Sequence, residues 1–163
     1  MADSWVINAS PVILLAKAGL MGRVPSLANP LVIPGPVASE ILALRRKDAA
    51  TLWLNEAGKQ FVRPAVPELP VLSGTEIGSG ERAVISWAMA HPGFTAVLDD
   101  FEARVAAQRL GVLILGTVGV VLRLKKAGLI SEVKPHLLKI KSEGGCIGDE
   151  LFREALLRAG EQP

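Results

Sequence analysis

A chain of 163 residues, half of them hydrophobic, has enough apolar material for one domain with one core. Its formal charge of +2 neither requires nor forbids a polyanionic partner, and an aromatic content of 4 %, with no Tyr, argues against a base-stacking platform of the single-strand-binding kind. One cysteine, Cys146, excludes an intramolecular disulfide and fits a reducing compartment, and two histidines in unpromising places (His91 before Pro92, His136 after Pro135) leave little for a zinc site or a Cys–His nucleophile.

Trp5-Val6-Ile7 reads as a short buried strand closed by Asn8. Ser10-Pro11 predicts a helix start, with Ser10 as N-cap and Pro11 in the first helical position. Val12, Leu15 and Ala16 give that helix an apolar face, and Gly19 ends it. Residues 31–33 predict a second strand stopped at Pro34. A helix over 36–44 runs into the basic triplet Arg45-Arg46-Lys47, a further helix covers 49–57, and 61–62 reads as a third strand. The stretch 64–79, with Pro64, Pro67, Pro70, Gly74 and Gly78, is a connector, because too little chain lies on either side for two cores. Beyond it the elements alternate: helix 81–90, strand 96–98, helix 101–110, strand 112–115, helix 118–127, then two helices within 133–159 split by Gly144-Gly145. Strands alternating with helices of about ten residues predict an α/β fold with a parallel sheet and right-handed crossovers.

The chemistry sits at the junctions. Asn8 closes the first strand, Asp99 and Asp100 follow the apolar run 96–98, Glu40 lies on the helix after the second strand, and Glu81 opens the helix after Gly78-Ser79-Gly80. In such folds ligands bind beyond the carboxyl ends of the strands. Oxygen donors gathered there suit a hard divalent cation, Mg²⁺ or Mn²⁺. Each residue also has a plainer role. Asp99 or Asp100 can cap the helix that follows, Glu81 complements a helix dipole, Ser79 can cap the same helix, Glu40 can reach Arg45 or Lys47, and Asn8 can form a turn. The conjunction carries the metal reading, rather than any one residue. Gly78-Ser79-Gly80 lacks the Lys and Thr of a phosphate-binding loop, and Gly116-Thr117 at a strand-to-helix junction reads as a cap or an anion contact.

Positive residues gather at Arg45-Arg46-Lys47, at Arg123, Lys125 and Lys126, and at Lys134, Lys139 and Lys141. They read as solvated helix faces or as phosphate contacts. The longest apolar stretch, 111–122, is shorter than the roughly 20 residues of a membrane span, and the start carries no basic leader, so a cytoplasmic protein is expected. A mean hydropathy of +0.37 leaves apolar surface for a partner or a second copy to bury.

The segments VINASPVILLAKAGL (6–20), VIPGPVASEI (32–41), GSGERAVISWA (78–88), VLDDFEARVAAQRLGV (97–112) and GTVGVVLRLKKAGLI (116–130) occur in one order over most of the chain. In that order the chain resembles the DUF3368 family of prokaryotic PIN-like proteins. The resemblance implies a single three-layer α/β/α domain over 1–163, with a central parallel sheet and the helices of about 131–160 as its extension. It implies a Mg²⁺- or Mn²⁺-dependent ribonuclease, in several relatives the toxin of a toxin–antitoxin pair, with RNA, an antitoxin protein and a second copy as partners. Position by position, Asn8 falls where active PIN nucleases have their first Asp. Glu40, Glu81 and one of Asp99 and Asp100 match the remaining acids, Ser10 matches a small hydroxyl residue and Thr117 a polar position near the pocket. Arg45, Arg46, Arg123, Lys125 and Lys126 would hold the RNA backbone. The neutral Asn8 brings no charge to a cation, which keeps open a second reading: a module that binds RNA or an antitoxin without cleaving.

Overall fold

The computed structural model describes residues 2–45 and 47–163. Strand β1 (Asp3–Ile7) is the keel of the sheet, because Trp5, Val6 and Ile7 are fully buried and alternation cannot operate on a strand covered on both faces. It pairs in parallel with β2 (Ala28–Pro34) on one side and β4 (Phe94–Val97) on the other. Beyond these lie β3 (Val62–Arg63) and β5 (Leu113–Leu115), giving the all-parallel order β3-β2-β1-β4-β5. The chain moves outward in one direction from β1 to β3 and in the other from β4 to β5. Right-handed crossovers therefore put α1 (Ala9–Lys17) and α5 (Phe101–Arg109) on opposite faces of the sheet. Helix α1 packs with α3 (Ala49–Glu56), α6 (Thr117–Lys126) and α7 (Lys134–Ser142), while α4 (Ser79–Ala90) packs with α5 and with α2 (Gly35–Leu42). The result is the expected three-layer α/β/α arrangement, with one contiguous core that runs from Trp5 and Leu15 to Leu137 and Leu156.

Several boundaries move, each for a local reason. Helix α1 begins at Ala9 with Asn8 as its N-cap, so Ser10 lies inside the first turn rather than capping it. Pro11 tolerates this because the first-turn N–H groups have no intrahelical acceptor to lose. Helix α4 likewise starts at Ser79, one residue past its N-cap Gly78, whose N–H is taken by the Glu81 carboxylate at 2.9 Å. Phe61 stays out of β3 because its ring stacks on Trp53, with centroids 6.1 Å apart. A 3₁₀ helix at Met21–Ser26 had no separate signal in the sequence; Met21 and Val24 plug it into the core.

The C-terminal helices α7 and α8 (Asp149–Arg158) are tied to the domain by Glu161. Its carboxylate accepts from Val133 N at 2.6 Å, Lys134 N at 2.9 Å and Lys125 Nζ at 2.7 Å. Partial burial pushes this group up, but the Lys125 and backbone donors outweigh it and leave the carboxyl below its ordinary 4.5. A depressed carboxylate stabilises the fold above its unfolded pKa and loses that contribution as pH falls through the folded one. Glu161→Gln should therefore cost about 1–2 kcal/mol in urea unfolding at pH 7. The gap to wild type should close below about pH 4.5.

Candidate active site

β1 and β4 are neighbours in the sheet although β2 and β3 intervene in the chain, so the crossovers on either side of this pair lead away from each other. The carboxyl edge of such a pair is where sheets of this type receive ligands. Asn8 leaves β1 with its N–H still bonded to Val97 O at 3.1 Å. Its side chain is 4 % exposed, and Oδ1 is buried without a hydrogen-bond partner. An orphaned acceptor of this kind costs about 1–3 kcal/mol unless something electropositive meets it.

Glu40, on the exposed side of α2, reaches the same place instead of forming an ion pair with Arg45. A Cβ built on Gly80 would stand 3.0 Å from Glu40 Oε2 and 3.1 Å from Asn8 Oδ1. Two acceptor oxygens thus converge above a glycine, and only a cation or a hydrogen-bond donor satisfies both. Gly80 is buried in the first turn of α4, and a side chain there would fill this cradle.

Glu81 follows directly. Burial pushes its carboxyl above the ordinary 4.5, the Gly78 N–H opposes this, and the charges of Asp100 and Glu40 add to the rise. Glu81 on α4 therefore feels the acids of α2 and of the β4–α5 junction. A raised carboxyl contributes stability below its unfolded pKa and loses it as pH rises through the folded one, so at pH 7 the Glu81 charge opposes folding. Glu81→Gln keeps an acceptor for Gly78 and sheds the charge. It should raise Tm at pH 7 by roughly 1–3 °C, a modest gain because water screens a half-open group, and the difference should vanish near pH 4 in a thermal-melt series.

The adjacent aspartates occupy different surroundings. Asp99 accepts from Thr117 N at 2.8 Å through Oδ1 and from Thr117 Oγ1 at 2.6 Å through Oδ2, with Ser10 Oγ at 3.5 Å. Thr117 is 3 % exposed and opens α6, so β5 and α6 hold this carboxylate in place. Asp100 is the N-cap of α5, accepting from Ala103 N at 2.9 Å, and its charge still reaches Glu81. The expected residues Asn8, Ser10, Glu40, Glu81, Asp99, Asp100 and Thr117 thus all come to the carboxyl edge of the sheet.

Oxygen donors only, an unsatisfied amide oxygen and mutually repelling carboxylates are a donor set that suits Mg²⁺ or Mn²⁺. Among the described residues no three Asp, Glu, His or Cys side chains converge closely enough to hold an ion by themselves. A cation in the cradle would therefore draw on the Asn8 oxygen as well as on carboxylates.

The basic residues fall elsewhere. Arg123, Lys125 and Lys126 end α6, roughly 9–14 Å along the axis from Thr117. Arg123 pairs with Asp3 at the opposite end of β1 and lies over the Trp5 ring at 5.8 Å, and Lys125 is held by Glu161. The far end of α6 and the acid edge are thus separate regions. Lys139 pairs with Glu143 and Lys141 with Asp149, as on a solvated helix face. Arg45 is exposed just beyond α2, and Arg46 lies outside the described residues.

One cation at the edge was missed. Arg104 donates from Nη1 to Leu98 O at 3.0 Å. A Cβ on Gly116 would stand 2.7 Å from that nitrogen and 3.4 Å from Asp99 Oδ1, so the guanidinium and the carboxylate share the space that this glycine leaves. The signal was the spacing: Arg104 is four residues after Asp100 in the first turns of a helix that starts at the acids.

No helix among the described residues is long and apolar enough to cross a membrane. No curated protein and no solved structure matches the chain. The family model DUF3368, described as a PIN domain, matches residues 4–161. With five parallel strands between helical layers and the acids gathered where its crossovers diverge, the chain belongs to the DUF3368 family and is a PIN-domain protein.

Proposed function

We propose that the protein is a Mg²⁺- or Mn²⁺-dependent endoribonuclease working at the acid edge of the sheet. The observation that carries this reading is the buried, unpartnered Asn8 Oδ1 facing Glu40 Oε2 across Gly80. Asn8, Glu40, Glu81 and one of Asp99 and Asp100 would hold the metal, as one or two ions with no more than two of the acids on either. When bound, it supplies a water of lowered pKa and positive charge against the phosphoryl oxygens. Thr117 and Ser10 fix the orientation of Asp99, Gly78 fixes Glu81, and Gly80 keeps the approach to Asn8 and Glu40 open. PIN-domain membership supports RNA as the substrate class. The direct test is gel analysis of mixed single-stranded RNA incubated with the purified protein and Mn²⁺. Cleavage that disappears in EDTA is expected; intact RNA under both conditions counts against the reading.

We further propose that the protein is the toxin of a toxin–antitoxin pair and works as a homodimer. The second copy or the antitoxin would cover apolar side chains such as Leu138, Leu151 and Leu157, which are 50 %, 44 % and 62 % exposed on α7 and α8. Light scattering that gives a monomer mass near 17.2 kDa at high concentration would remove the dimer.

A second reading, an RNA- or antitoxin-binding module without cleavage, is favoured by one feature: the position at the end of β1 holds a neutral amide. Calorimetric titration separates the two. Heat of Mn²⁺ binding that is lost in Glu40→Gln supports the nuclease, and no binding at millimolar metal supports the module.

A further inference from the structure

Of the seven aromatic side chains, six are packed. Trp5 is in the core, Trp53 stacks on Phe61, Trp87 stacks on His91 with Phe94 edge-on, and Phe152 packs on the core beneath Lys141. Phe101 is the exception. It is 74 % exposed, the most open of the large hydrophobic side chains among the described residues, and it forgoes the burial that stabilises the others.

Its place is as distinctive as its exposure. Phe101 is the first residue of α5, directly after the Asp99-Asp100 pair, and Asp100 is near enough to Glu81 for the two charges to interact. Helix α5 turns Ala103 and Ala107 to the core, which leaves Phe101 on its solvent side at the carboxyl edge of the sheet. Arg104, three residues on and so on a neighbouring part of the helix surface, spends one N–H on Leu98 O beside Asp99. The first turns of α5 therefore offer a flat apolar ring and a guanidinium next to the carboxylates. A nucleotide presents the complementary pair, a base with two π-faces and a phosphate.

The geometry points to Phe101 as the base-stacking residue of a nucleotide subsite, holding an unpaired base of the RNA strand as its phosphate passes the acid edge. The subsite rests on the nuclease reading and adds to it how the strand is gripped. It also gives a chain too poor in aromatics for a platform a way to bind: one ring beside the reacting phosphate fixes register without reading sequence, because every base can stack.

The test uses the full chain carrying Glu40→Gln to suppress cleavage, with a 5′-fluorescein single-stranded oligoribonucleotide of mixed sequence followed by anisotropy. Adding Phe101→Ala should weaken binding roughly 5- to 150-fold, the range of one lost base stack, while the melting temperature stays within a degree or two. Phe101→Trp should bind as well as the parent or better. An oligonucleotide with abasic sites along its length should bind the parent and the Phe101→Ala chain equally, since a missing base cannot stack. Equal affinity of the two proteins for the intact RNA overturns the subsite, as does an equal loss on the abasic strand. A halved mass of Phe101→Ala in light scattering, without loss of RNA affinity, overturns it in favour of a second copy covering the ring. A parent chain that does not bind RNA overturns the nuclease reading as well, which separates the two failures.

Discussion

Glu40→Gln and Asp99→Asn should each lower Mn²⁺-dependent RNA cleavage by at least about 100-fold, since even outer partners of metal ligands cost 10- to 100-fold when removed. Both replacements preserve shape. Glu40 is exposed, and its amide analogue keeps one oxygen near the Gly80 cradle while removing the charge that faces Asn8 Oδ1. Asp99→Asn can still accept the Thr117 N–H through its oxygen, and the Thr117 hydroxyl can turn from donor to acceptor to meet the new NH₂. Circular dichroism and thermal unfolding should therefore resemble wild type. The loss should lie in kcat and in the Mn²⁺ concentration needed for half-maximal rate, more than in the KM for RNA, if the carboxylates act on the ion rather than on the strand. Wild-type activity in both variants would rule out the mechanism. Loss in Asp99→Asn alone would move the ion away from Gly80 toward Thr117 and Arg104.

Much of this architecture could be read from the residues because the physics is local. The strands 5–7, 31–33 and 112–115 are short apolar runs between breakers, and the helices between them repeat their apolar side with helical spacing. The parallel sense of the sheet followed from the alternation alone. Caps were read less well. Ser10 and Ser79 look like N-caps by residue type, yet Asn8 and Gly78 hold those positions, because strand pairing carries β1 right up to Asn8 and because Glu81 satisfies Gly78 from within the helix. The acids were legible as a set at strand ends. Their division was not: which aspartate caps and which meets Thr117 depends on how β5 and α6 approach a loop 18 residues earlier in the chain. The basic residues of α6 could not be placed for the same reason. Sequence proximity to Thr117 does not reveal that the helix axis carries Arg123 to Asp3, at the far end of β1. Arg104 was overlooked because a lone arginine on a helix surface is ordinary until a glycine such as Gly116 lets it beside an acid.

Asn8→Asp should make the protein's stability depend on metal. The side chain is 4 % exposed, its Oδ1 has no partner, and Glu40 Oε2 lies on the other side of the Gly80 cradle. A carboxylate placed there without a counter-ion suffers both desolvation and repulsion from Glu40. The metal-free variant should lose about 2–4 kcal/mol, or roughly 5–15 °C in Tm, at pH 7. The sign fixes the pH dependence. The new carboxyl has a pKa raised by the fold, so its penalty grows as pH rises through that value and fades on acidification, and the variant should approach wild-type stability near pH 4. Mn²⁺ at 100 times its dissociation constant restores about 2.7 kcal/mol by binding only the folded state. Titrating Mn²⁺ during thermal melts should therefore raise the Tm of Asn8→Asp by several degrees more than that of wild type, and Glu40→Gln in the same chain should reduce both the penalty and the rescue. This pattern needs no turnover to be seen. An Asn8→Asp chain that melts with wild type in EDTA and gains no more than wild type from Mn²⁺ would mean that the amide oxygen faces no cation site, and the cradle over Gly80 would then be a feature of packing alone.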